Sequence, residues 1–164
     1  MSQAGPIGSF LLSRVPRIAF GPGTVGELGA AAARHGRHAL LVRGGHSLLA
    51  AGRPLVPSDA MAAAGLEVTE LAVSGEPTPS TIDAAVGGLR GRGIDVVVGI
   101  GGGSVLDSAK AIAGLLPSGD SIQDHLEGVG PGRALGGPVL PWIALPTTAG
   151  TGSEATRNAV VSVP

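Results

Sequence analysis

The sequence predicts an α/β domain in which a parallel β-sheet is flanked by helices. Two observations predict it. Short apolar runs rich in Val, Ile and Leu alternate with segments of helical periodicity. Three of those runs end in turns built from Gly, Ser and Thr, at 44–47, 101–104 and 147–152. Ligands of such sheets bind outside the carboxyl ends of the strands, so three such turns can share one crevice.

Taken in order, residues 1–9 read as a loosely attached end. Arg17–Phe20 reads as a short strand ended by Gly21-Pro22-Gly23. Thr24 is placed to cap a helix reaching about His35, with Val25, Leu28 and Ala32 on its buried face. His38–Arg43 (HALLVR) is apolar enough for a strand buried on both faces, and Gly44, Gly45, His46 and Ser47 lead from it into a short helix. Leu66–Val73 reads as a third strand. Pro79 suits the first turn of a helix through Leu89. Residues 118–137 read as a Gly- and Pro-rich loop with one helical turn at Ile122–Leu126. Trp142–Leu145 and then Glu154–Val163 read as further strands.

The stretch Asp95–Ala113, DVVVGIGGGSVLDSAKAIA, is the centre of the pattern. A buried strand runs into Gly101, Gly102, Gly103 and Ser104, and a helix starts there, with Val105, Leu106, Ala109 and Ile112 on one face. Glycines let a ligand come close to the backbone. The first amides of the helix are unsatisfied and carry the positive end of its dipole, so they attract an anion. The sequence therefore predicts a phosphate at this turn and a Rossmann-like sheet around it. The spacing supplies only the first two glycines of GxGxxG, and no Gly-Lys-Ser or Gly-Lys-Thr loop occurs. At the end of the HALLVR strand, Arg43 and Ser47 stand where an NAD site usually places an acidic residue, which suits a 2′-phosphate and makes NADP acceptable.

Composition removes several classes. The chain has 164 residues, a net charge of −1 and no cysteine, so disulfides, thiolate metal sites and cysteine nucleophiles are out, and nucleic acid finds no basic stripe. The mean hydropathy is +0.37, yet no apolar run approaches the roughly 20 residues of a membrane span. With no recognisable signal peptide, the expected location is the cytoplasm. Of eleven basic residues only Lys110 is a lysine. It reads as a solvated helix residue, the alternative being a place where a compact ammonium is required. His35, His38, His46 and His125 read as surface or turn histidines, without the helical pairing of a metal site. Ser104 and Ser153 lack a nucleophile elbow.

GGGSVLDSAKAIA, followed about forty residues later by ALPTTAGTGSEATRN, resembles the iron-dependent (group III) alcohol dehydrogenases. PRIAFGPGTVGELG, GEPTPSTID and DHLEGVG agree with the same family. The resemblance implies that residues 1–164 are a dehydroquinate synthase-like N-terminal dinucleotide-binding domain. It also implies that the family's helical metal domain, with its Asp and three His, lies beyond this chain. It implies a pyrophosphate on Gly101–Ser104. Thr147, Thr148 and Thr151 match contacts to phosphate and nicotinamide ribose, and Asp107 matches the acidic residue beside the nicotinamide. Thr78 and Asn158 match further cofactor-facing positions. Gly44, Gly45 and Ser47 match the NADP-using branch, although His46 departs from its glycine.

The implied cofactor is NAD or NADP, with NADP favoured, and the whole enzyme would add Fe2+ or another divalent metal. The implied chemistry is hydride transfer between an alcohol/aldehyde pair and nicotinamide, with the metal as Lewis acid. The 164 residues alone are expected to be inactive, and the implied partners are the dinucleotide and a small alcohol or aldehyde. No nucleic acid or membrane partner is expected. A homo-oligomer is, with apolar surface left bare around Trp142, Val160 and Val161. Two other readings remain: a stand-alone nucleotide-binding module without catalysis, and a relative of glycerol-phosphate dehydrogenases and sugar-phosphate cyclases. The PTTAGTGSE run disfavours the latter.

Overall fold

Four strands pair in parallel in the order β2-β1-β3-β4. They are β1 (His38–Gly44), β2 (Glu67–Val73), β3 (Val96–Gly101) and β4 (Trp142–Pro146). The computed structural model describes residues 16–45 and 57–163. Ser47 and His46, the end at residues 1–9 and the start of the segment leading to Phe20 therefore lie outside the described residues.

β1 and β3 occupy the middle because their side chains can be buried on both faces. Leu40, Val42 and Val97 point one way, into a core completed by α3 (Pro79–Leu89) and α4 (Gly103–Leu115). Ala39, Leu41, Val96, Val98 and Ile100 point the other way, toward α1 (Leu28–Ala33) and α2 (Pro57–Ala63). Each fully buried Val or Leu contributes about 1.5–3 kcal/mol of transfer free energy, so these two strands dominate the stability of the sheet. The chain leaves β1 for β2 on one side and later adds β3 on the other. Crossovers in opposite directions place their helices on opposite faces when both have the same hand. The topological switch falls between β1 and β3, where parallel sheets open a crevice at the carboxyl edge.

The amino edge is pinned by polar groups. Asp95 accepts the amides of Arg37 and His38 at 2.7 and 3.0 Å, and these bonds, that of Arg37 foremost, hold its carboxyl below the usual value. His38 is buried, which corrects the expectation of a surface histidine. Its Nδ1 lies 2.9 Å from the Arg92 carbonyl and must donate to it. Nε2, 2.8 Å from Thr69 Oγ1, then accepts from that hydroxyl in the neutral tautomer.

Three other expectations change. Arg17–Phe20 is not a strand; among the described residues no neighbouring strand pairs with it, and Ile18 and Phe20 are 73% and 97% exposed. Thr24–Glu27 is a 3-10 turn rather than the first turn of a Thr24-capped helix, because the Thr24 hydroxyl donates to the Gly21 carbonyl. Glu154–Val163 is not a strand either, since its backbone groups are taken by other elements. Lys110 Nζ donates to the Asn158 carbonyl, and the Ser162 amide donates to the Pro77 carbonyl at 2.8 Å. The segment is a strap laid from Ser153 across α4 to the start of α3. Among the described residues, no helix is long and apolar enough to cross a membrane.

Candidate functional site

The parallel register sets the ends of three strands at one level. Arg43 pairs with Ile100, and Gly101 pairs with Pro146. Gly44 and Gly45, Gly101–Ser104 and Thr147–Gly152 therefore leave the sheet along the same rim, as the sequence predicts.

The turn after β3 is close-packed from below. A Cβ on Gly99 would lie 2.8 Å from Ala109 Cβ, and one on Gly101 would lie 2.6 Å from Val105. Only glycine lets α4 dock this tightly on β3. Gly102 caps the helix in an extended conformation, and no side chain caps it. Val105 and Leu106 donate back to the Gly102 carbonyl. The amides of Gly103 and Ser104 have no acceptor among the described residues. They face the rim with the positive end of a thirteen-residue helix behind them.

The turn after β4 sits on this one. Thr147 donates its amide to the Gly101 carbonyl at 2.9 Å. The Thr148 side chain lies 3.5 Å from the position a Cβ on Gly102 would take, and Thr151 lies 3.1 Å from that of Gly103. Two glycines thus make room for two threonine side chains: Thr148 brings its hydroxyl as near as its methyl, whereas Thr151 turns its methyl to Gly103 and accepts the Ser153 amide at its hydroxyl.

Beneath both turns lies a polar cluster. Asp107 is 5% exposed, Lys110 8% and Ser153 7%. Lys110 Nζ donates to Asp107 Oδ1 at 3.3 Å, to Thr156 Oγ1 at 2.8 Å and to the Asn158 carbonyl at 2.6 Å. Ser153 Oγ donates to Asp107 Oδ2 at 3.4 Å. The ammonium also lies 5.3 Å from the centre of the Trp142 ring, within cation–π range. Lys110 is thus not a solvated helix residue. Trp142, expected on a bare surface, is half-buried against the α3/α4 core, and so is Val161, whereas Val160 is exposed. The one signal that could have found Lys110 is its i,i+3 spacing from Asp107 on a helix otherwise apolar or small.

The other expected residues fall around the rim. Thr78 is the N-cap of α3, in a capping box with Thr81. Its neighbours Gly75–Pro77 border a cleft of about 420 Å3 beside the carboxyl end of β2, with Thr81 and Ser108 on its wall. Asn158 reaches the site through its carbonyl on Lys110. Arg43 does not stand as a free cation at the end of β1; its Nε donates to Glu70 Oε2 at 3.0 Å. Among the described residues, no three His, Cys, Asp or Glu side chains gather as a metal ion requires. The open amides of this rim suit an anionic group.

The family model for iron-containing alcohol dehydrogenases matches residues 16–164. The chain belongs to this family. A probable alcohol dehydrogenase, EutG, from Escherichia coli K12 is 38% identical over 142 residues, which is 86% of this chain and 35% of that protein. The crystal structure of an NADH-dependent butanol dehydrogenase from Thermotoga maritima superposes with a TM-score of 0.79 at 30% identity, covering 94% of this chain and 38% of that one. A sulfoacetaldehyde reductase from Bifidobacterium kashiwanohense, crystallised with NAD+, superposes with a TM-score of 0.76 at 33% identity, covering 94% and 40%. The chain thus spans little more than a third of the length of these family members. What it shares with the two crystal structures is the fold of the α/β domain.

Proposed function

We propose that the carboxyl rim binds a nicotinamide dinucleotide, and that the chain is the cofactor-binding part of an alcohol dehydrogenase. The observation that carries this reading is the pair of turns at the ends of β3 and β4. Open amides at Gly103 and Ser104 sit beside the Thr148 hydroxyl and the Thr151 side chain, at the positive end of a buried helix. A pyrophosphate is the ligand such a cradle serves. Gly101–Ser104 would hold it from below, with Thr147, Thr148 and Thr151 alongside. Gly44, Gly45 and Thr78 would border the adenosine end, and Asn158 the strap beside the nicotinamide end. Asp107, which the family resemblance sets beside the nicotinamide, is turned toward Lys110 and Ser153 beneath the turn.

The bound nicotinamide would supply the hydride acceptor for an alcohol, or the donor for an aldehyde. The residues of this chain bind and orient it, and no metal-assisted step is assigned to them. Because Glu70 already engages Arg43, a 2′-phosphate gains less from that guanidinium than a free cation would give. NADPH is expected to bind within about tenfold of NADH, a difference near 1.4 kcal/mol.

Titrating the chain with NADH and NADPH, followed by nicotinamide fluorescence, tests the reading. Saturable binding is expected. Gly103→Val, which drives a side chain toward Thr151, should abolish it while circular dichroism is unchanged. Absence of binding by the parent chain, or full binding by the variant, refutes the assignment.

A further inference from the structure

Lys110 and Asp107 form an ion pair with almost no access to water, directly below the turn assigned to the phosphates. Asp107 comes four residues after Gly103 on α4, roughly 6 Å along the helix axis. An unpaired carboxylate there would work against everything that makes the turn attractive to an anion. It would oppose the helix dipole from inside the protein, where screening is weak. We propose that Lys110 is a positioning residue for the dinucleotide phosphates: its ammonium cancels the buried Asp107 carboxylate and ties the strap after β4 down onto α4. The inference rests on the reading of the turn as a phosphate site.

The geometry divides the work among three donors. The bond to Asp107 Oδ1 does the charge compensation. Those to Thr156 Oγ1 and the Asn158 carbonyl fix the strap, and through it the turn carrying Thr148 and Thr151. Asp107 in turn accepts from Ser153, whose Oγ lies 3.4 Å from the Cβ position of Gly103. The Trp142 ring covers the remaining side of the ammonium. A compact ammonium makes these three bonds in one pocket, whereas a planar guanidinium would not.

Charge and architecture make different predictions for the two partners. If the pair were only structural, removing either side chain would weaken NADH binding. If it compensates charge, the two changes act in opposite directions. Lys110→Met should weaken NADH binding about tenfold, the scale of one unit charge acting on another at roughly 10 Å and intermediate dielectric. Asp107→Asn, which leaves the ammonium unopposed, should bind NADH at least as tightly as the parent chain. The double variant should lie between them. The readout is the NADH dissociation constant of each chain, with circular dichroism confirming the fold. If Lys110→Met fails to fold, Asp107→Asn still decides: weaker binding than the parent overturns the proposal, and equal or tighter binding supports it. A parent chain that binds no NADH overturns it together with the phosphate reading. A parent that binds, with Asp107→Asn impaired, overturns this inference alone.

Discussion

Asp95 shows how one side chain ties acid sensitivity to a local pair of backbone bonds. It accepts two backbone amides, from Arg37 and His38, at the amino edge of β1. The charged form is the one those amides favour, so the carboxyl titrates below its usual range in the folded chain. A depressed carboxylate contributes stability that is present above its unfolded pKa and lost as pH falls through the folded one. Asp95→Asn should therefore cost about 1–2 kcal/mol at neutral pH, where a charge-assisted pair of bonds is lost. Its stability gap from the parent, measured by urea unfolding, should close as pH drops below the ordinary carboxylate range. A gap that stays constant with pH would assign the loss to shape instead. At this scale the sequence was only partly readable. Lys110 looked like any helix lysine because nothing local shows that a strap from residues 156–158 comes back to cover it. His38 and Arg43 were misjudged for the same reason, since their partners Arg92, Thr69 and Glu70 are remote in sequence.

Among the elements, α4 is the one whose docking the site depends on. Its closeness to β3 comes from Gly99 and Gly101, which leave no space for a Cβ. Gly99→Val should lift the helix from the strand and cost about 1–3 kcal/mol, the usual range for overpacking. A fall in the thermal midpoint would report it, and an unchanged midpoint would show that the helix can shift without loss. The four paired strands, α3 and the start of α4 were legible in advance, whereas α2 (Pro57–Ala63) was not read. Arg17–Phe20 and Glu154–Val163 have the right composition for strands, but a strand needs a neighbour with free backbone groups. The first has none, and the second spends its groups on Lys110 and Pro77.

For the whole molecule, one edge of the sheet is unfinished. Among the described residues β4 pairs with β3 alone, and Val139 and Val160 nearby are exposed. Open strand edges beside apolar side chains favour association. The chain at rising concentration should therefore gain mass in light scattering, and a monomer at every concentration would refute this. The parallel class of the sheet and the gathering of three turns on one rim could be read from the alternation of elements, because a single-handed crossover leaves few other arrangements.

The pairing of β1 with β3 has a kinetic corollary. The bond between His38 and Asp95 joins positions 57 residues apart, and β2 lies outside that pair, not between its members. A large loop must close before the central ladder can zip, and among the described residues no hairpin is available to start it. Refolding is thus governed by chain search, on the slow scale of non-local topologies. Until that search succeeds the two most apolar strands stay in water, and aggregation competes with folding for them.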